Sequence, residues 1–194
     1  MALTVLNKIG TASILDNAIT SGKIIDNAIT SGKIINNAVT SSKIVAGAGG
    51  KILQVVNAKY DTEITMTSTT PADTGLTATI TPTSTSNKIL VLVSQPIWME
   101  RNGGEGMKGT WSLLKGSTVL TSQQMELASG LNNDSDRALA GNFVESYLDS
   151  PNTTSATTYK TQQKCNLTTA SPIVKSQRGG SGYYSTMTLI EVAA

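Results

Sequence analysis

The side chains able to do chemistry in this chain are thirteen carboxylates, one thiol, five tyrosines and two tryptophans, and there is no histidine. Without imidazole, Ser-His-Asp and Cys-His catalysis and histidine metal ligation are excluded. The one thiol, Cys165, can neither close an intrachain disulfide nor build a Cys/His zinc site, and it reads as a small buried apolar residue. Asn132, Asn133, Asp134 and Asp136 offer oxygen atoms to a calcium ion, but their spacing departs from the EF-hand pattern and a solvated loop explains them better. The glycine clusters at 103–106 and 179–182 resemble phosphate loops only in composition, because neither runs into Lys-Ser/Thr and a helical pattern. No catalytic residue, metal or cofactor is expected, and the chain is not expected to be an enzyme. What remains is binding. Trp98, with Arg101 and Asn102 close behind it, is the candidate contact for a cell-surface glycan, since an indole can stack on a sugar ring.

The element that stands out is a decapeptide written three times, ILDNAITSGK, IIDNAITSGK and IINNAVTSSK, over residues 14–43. Ile14, Ile19, Ile24, Ile29, Ile34, Val39 and Ile44 recur every five residues. A continuous helix places apolar residues at three and four, and a half-buried strand at two, so five implies a short element and a turn, repeated. Asp16, Asp26 and Asn36, and the Thr-Ser pairs at 20–21, 30–31 and 40–41, are preferred N-caps, which suggests two capped single-turn helices per repeat. A β-spiral of short strands and Asx-turns is the alternative. Either way, ordering ten residues costs more than burying three side chains returns. The repeats therefore need partners, and residues 14–45 are expected to form a stalk from several chains.

Ala46 to Gly50 punctuates a change of texture. Beyond it, runs at 52–57, 59–67, 76–81, 88–95, 109–116, 156–164 and 183–192 are rich in β-branched residues and bounded by Gly, Pro, Asn and Ser, as in an antiparallel β-sandwich or jelly roll over 51–194. Residues 97–109 and 127–141 read as surface loops. In the last run Met187 and Leu189 point one way, and Ile190 and Val192 the other. Both faces are apolar, so the second is expected to meet neighbouring subunits.

Charged residues make up only 14% of the chain and the formal charge is +2, which gives no reason to expect nucleic acid. No run approaches the ~18 apolar residues of a membrane span. The N-terminus lacks the basic and apolar regions of a secretory signal, so synthesis in a cytoplasm is the expectation.

The repeats of the form I-x-D-N-A-I-T-S-G-K resemble the shaft or anchor repeats of tailed-bacteriophage fibre proteins, and the terminal STMTLIEV is similar to the closing strand of their knobs, particularly in marine phages. Such knobs are trimeric jelly rolls of the tumour-necrosis-factor or complement-C1q type. The resemblance implies a homotrimeric virion fibre or spike: residues 1–13 anchored to capsid or tail proteins, a repeat stalk, and an outward knob for host attachment. The chain is short for a tail fibre, which leaves open a capsid decoration protein or head fibre without receptor binding. A polysaccharide depolymerase would need a carboxylate pair that does not stand out here.

Overall fold

A computed structural model describes residues 51–194 apart from 102–105, 128–136, 168–171 and 180–181, together with scattered residues between 19 and 44. The chain divides into two compact units, Met1–Gly49 and Gly50–Ala194.

In the first unit the Thr-Ser-Gly/Ser-Lys half of the repeat closes into single turns. The Lys33 amide donates to the Thr30 carbonyl and the Lys43 amide to the Thr40 carbonyl, each at 2.9 Å, and Ser31–Lys33 forms a 3-10 helix. Each lysine then reaches back five residues, Lys33 Nζ to the Ala28 carbonyl at 2.7 Å and Lys43 Nζ to that of Ala38 at 3.0 Å. Equivalent Thr and Lys positions of two repeats make the same local bonds. Most of the Asx half, including Asn36, lies outside the described residues, as does Ile14.

Among its described residues the second unit has ten strands: β1 (Ile52–Tyr60), β2 (Ile64–Met66), β3 (Ala72–Ile80), β4 (Lys88–Arg101), β5 (Met107–Lys115), β6 (Thr118–Leu127), β7 (Arg137–Asp149), β8 (Thr157–Cys165), β9 (Ile173–Ser176) and β10 (Ser185–Val192). All described pairings are antiparallel: β1 with β10, β3 with β8, β4 with β7, and β5 with β6. This is one long ribbon, turned at Gly116-Ser117 where Gly116 takes φ 57°, and rolled so that alternate rungs fall in two sheets. It is the jelly-roll order. Sheet A runs β1-β10-β4, with β7 on the other edge of β4, and sheet B runs β3-β8-β5-β6. The small strands β2 and β9 extend sheet A beside the second half of β4.

Alternation on these strands puts Ile89, Val91, Val93, Ile97 and Met99 of β4 inward, to meet Trp111, Leu113, Phe143, Tyr159, Met187 and Leu189 in one core. Several polar groups within it are paired across the sheets. The Tyr159 hydroxyl donates to Asp149 at 2.7 Å, and Lys115 pairs with the same carboxylate at 2.9 Å. Burial, with this neighbouring carboxylate, pushes the Tyr159 phenol well above its ordinary range. Trp111 Nε1 donates to Ser176 Oγ, which donates to Gln163, whose amide donates to the Ile64 carbonyl. Cys165 is fully buried, and burial raises its thiol pKa.

The expected surface loops need correction. Residues 97–101 continue β4, 107–109 open β5, and 137–141 open β7. Strand β7 pairs with β4 from Asp149 to Arg137, so the two longest strands support one another along their whole length.

Candidate functional site

Register fixes what sheet A presents to solvent. Val55 of β1 lies opposite Ile190 of β10, Ile190 opposite Leu90 of β4, and Leu90 opposite Leu148 of β7. These four residues alternate away from the core, so they form an apolar row straight across the sheet. Val55 is 57% exposed and Leu148 56%, with Leu53, Leu92 and Val144 also exposed nearby. A sheet face facing water normally carries polar residues at these positions. The outer face of sheet B does so: Asp73, Gln162, Ser112 and Ser122 form one row and Lys164, Thr110 and Gln124 the next.

The row on sheet A gives way along β4 to Asn57, Thr188, Leu92 and Ser146, next to Thr186, Ser94 and Val144, then to Pro96 opposite Asn142, and then to Trp98 opposite Ala140. Here the small residues Ala140 and Gly141 leave a cleft of about 280 Å³, edged by Trp98, Asn142, Arg178 and Tyr183. Arg178 comes from the turn after β9, and its guanidinium carbon lies 3.6 Å from the Trp98 ring centroid. The turn is held by its neighbours. The Gly179 amide donates to Glu63 at 2.7 Å, Lys175 lies between Glu63 (3.6 Å) and Glu100 (3.3 Å), and Trp98 Nε1 donates to Glu100 at 2.9 Å. The bond from Trp98 and the Lys175 charge lower the Glu100 pKa, and the Gly179 amide does the same for Glu63.

Of the three residues expected to contact a glycan, Trp98 borders this cleft. Arg101 does not: β4 continues through it, its position alternates inward, and it is 2% exposed, with Nη1 donating to the Gly106 carbonyl. Asn102 lies outside the described residues. The groups that accompany Trp98 come instead from β7 and from the turn after β9. Only knowledge of the β4–β7 register and of the return of β9 to β4 could have found them.

The described apolar residues of the repeat are uncovered within a single chain. Ile19, Ile24, Ile29, Ile34, Val39 and Ile44 are between 41% and 56% exposed. Among the described residues no group of three or more His, Cys, Asp or Glu could hold a metal ion, and no helix is long and apolar enough to cross a membrane.

No protein-family model and no curated protein sequence matches the chain. Solved structures similar to it include the VP2 subviral particle of infectious bursal disease virus, at 15% identity and a TM-score of 0.30, over 73% of this chain and 38% of that one. Another is the Gx strain of the same virus, at 14% identity and a TM-score of 0.28, over 73% of this chain and 37% of that one. The chain spans less than two-fifths of the length of either.

Proposed function

We propose that the protein is a self-associating structural component of a virus particle, a homotrimeric fibre or spike whose β-sandwich faces outward for attachment to a host surface. In this arrangement residues 1–13 attach to capsid or tail proteins, and residues 14–45 of three chains cover one another's isoleucines to form the stalk. The observation that carries the proposal is the aligned row Val55, Ile190, Leu90 and Leu148 on an open sheet face. Contiguous exposed apolar surface of this kind marks an association site. The core of such an interface is depleted in charge, as this row is. The three-fold number is what the resemblance to phage fibres implies, and the exposed five-residue spacing of the repeat supports a multi-chain stalk.

Light scattering on the purified full chain tests the assembly, with an expected mass of three times the 20.2 kDa chain. A single-chain mass would overturn the fibre reading, because both apolar surfaces would then stand bare in water. Antibody labelling of purified particles tests the location, with label expected at the particle surface.

A further inference from the structure

The cleft beside Trp98 differs from a second depression, on sheet B, in what its polar groups are doing. On sheet B a cleft of about 370 Å³ is lined largely by polar side chains, most of them already hydrogen-bonded to neighbouring groups. There Ser112 and Ser122 pair at 2.8 Å, Gln162 donates to Asp73 at 2.8 Å, and Asn166 spans Thr110 and Gln124. Around the Trp98 cleft the opposite holds. Among the described residues, the Arg178 guanidinium, the Asn142 amide and the Tyr183 hydroxyl take part in no hydrogen bond, although all three edge the same space.

Arg178 is nevertheless held in place. Its flat face is against Trp98, and the turn that carries it is tied through Gly179, Glu63, Lys175 and Glu100 back to the indole nitrogen. A guanidinium stacked on its face keeps its N–H edges free, and those edges match a carboxylate through two parallel bonds. The floor of the cleft, Pro96, Ile97, Ala140 and Gly141, is apolar or backbone and accepts the C–H face of a ring. At about 280 Å³ the space suits one ring, being just under the ~300 Å³ lower bound of sites for drug-sized ligands.

We propose that this cleft is a subsite for one carboxylate-bearing sugar ring of an acidic polysaccharide, with Arg178 taking the carboxylate, Asn142 and Tyr183 the hydroxyls, and the floor the C–H face. The proposal rests on the host-attachment part of the proposed function and names the chemistry of that contact. It is spatially separate from the assembly row: Trp98 lies eight positions along β4 from Leu90, roughly 26 Å at ~3.3 Å per residue. A sugar is favoured over a carboxylate-ended peptide because the unused groups beside Arg178 are an amide and a phenol set for hydroxyls. Strand β7, which carries Ala140, Gly141 and Asn142, pairs only with β4 among the described residues, so a peptide added to that edge is the alternative the test below must exclude.

The test is calorimetric titration of the full chain with oligosaccharides of galacturonate, glucuronate and sialic acid, each beside a neutral counterpart of the same linkage. At least one acidic oligosaccharide is expected to bind at least about tenfold more tightly than its neutral form. R178Q should then lose about tenfold or more of that affinity, and R178K should not restore it, because an ammonium group cannot make two parallel bonds. Arg178 is exposed, so its replacement should leave fold and solution mass unchanged. The proposal is overturned if none of the acidic sugars binds below about 10 mM, if neutral and acidic forms bind alike, or if R178Q binds as the parent does. It is also overturned if a short peptide with a free C-terminal carboxylate binds as tightly as the best sugar. A trimer that binds none of these sugars would sink the subsite and leave the assembly standing. A monomer that binds them would do the reverse.

Discussion

One outward row on each sheet is built on the same backbone pattern, and the two rows carry opposite chemistry. On sheet A the outward positions of β1, β10, β4 and β7 spell Val55, Ile190, Leu90 and Leu148. On sheet B the outward positions of β3, β8, β5 and β6 spell Asp73, Gln162, Ser112 and Ser122. Both rows face outward in one chain, and only the second is composed for water. Alternation alone would have produced two faces like sheet B; the difference is what points to a partner on one side of the sandwich and solvent on the other.

Charging the apolar row gives the largest expected effect. L90D/L148D in the full chain should convert a trimer into single chains, because each buried leucine is worth about 1.5–3 kcal/mol and the row is repeated in every subunit. Q124D on sheet B should leave the mass unchanged. Light scattering reads both, and an intact trimer from L90D/L148D would move the assembly to the repeats.

Gly75 probes the join between the sheets. It takes φ 83° on β3, and an added Cβ would overlap the ring of Tyr60 on β1. G75A is expected to cost about 3–4 kcal/mol, combining backbone strain with overpacking. Gly116 has φ 57° but open space around it, so G116A should cost only about 1 kcal/mol. Urea unfolding compares the two, and equal costs would mean that Tyr60 can swing aside.

A smaller effect belongs to a carboxylate inside sheet A. Burial raises the Glu191 pKa, but bonds from Asn87, Gln54 and the Thr83 amide and hydroxyl outweigh it and hold the group at about 2, against an ordinary 4.5. A pKa depressed on folding adds stability that is fully present above the ordinary value and is lost as pH falls through the folded one. The chain should therefore lose about 2–3 kcal/mol between pH 5 and 2, with the loss smaller in E191Q. Urea midpoints across that range check it, and an unchanged pH profile in E191Q would remove Glu191 as the cause.

The core is largely legible in the amino-acid sequence, because it rests on β-branched runs such as 88–95 and 183–192, whose composition alone marks strands. The two apolar faces of β10 are legible too, since Met187, Leu189, Ile190 and Val192 state them directly. Strands β6 and β7 are not. TVLTSQQMEL and RALAGNFVESYLD carry Gln, Ala, Gly and Glu, and they are held as strands by pairing with β5 and β4 rather than by their own propensity. The binding cleft is hidden for the same reason. Reading 97–109 as a loop puts Arg101 beside Trp98 at the surface, whereas in a continuing strand their odd separation sends them to opposite faces. Asn142 and Arg178, far off in sequence, take the places beside the indole.

The finest test of the contrast lies on the polar sheet. Ser122 bonds Ser112 at 2.8 Å and Gln124 accepts from Asn166 at 3.1 Å, both on the solvent side of sheet B. Water can replace an exposed partner of this kind, so the net worth of each bond is small. S122A and Q124A should each change stability by no more than about 0.5 kcal/mol and leave the solution mass untouched. A loss above about 1.5 kcal/mol in either would mean that the desolvation penalty of a stranded polar group is being felt, which happens only where water is excluded. In that case sheet B too would be covered in the assembled protein, and the division between an associating face and a wet one would fail. Denaturant unfolding of the two variants beside the parent, at one protein concentration so that assembly contributes equally, decides between these outcomes.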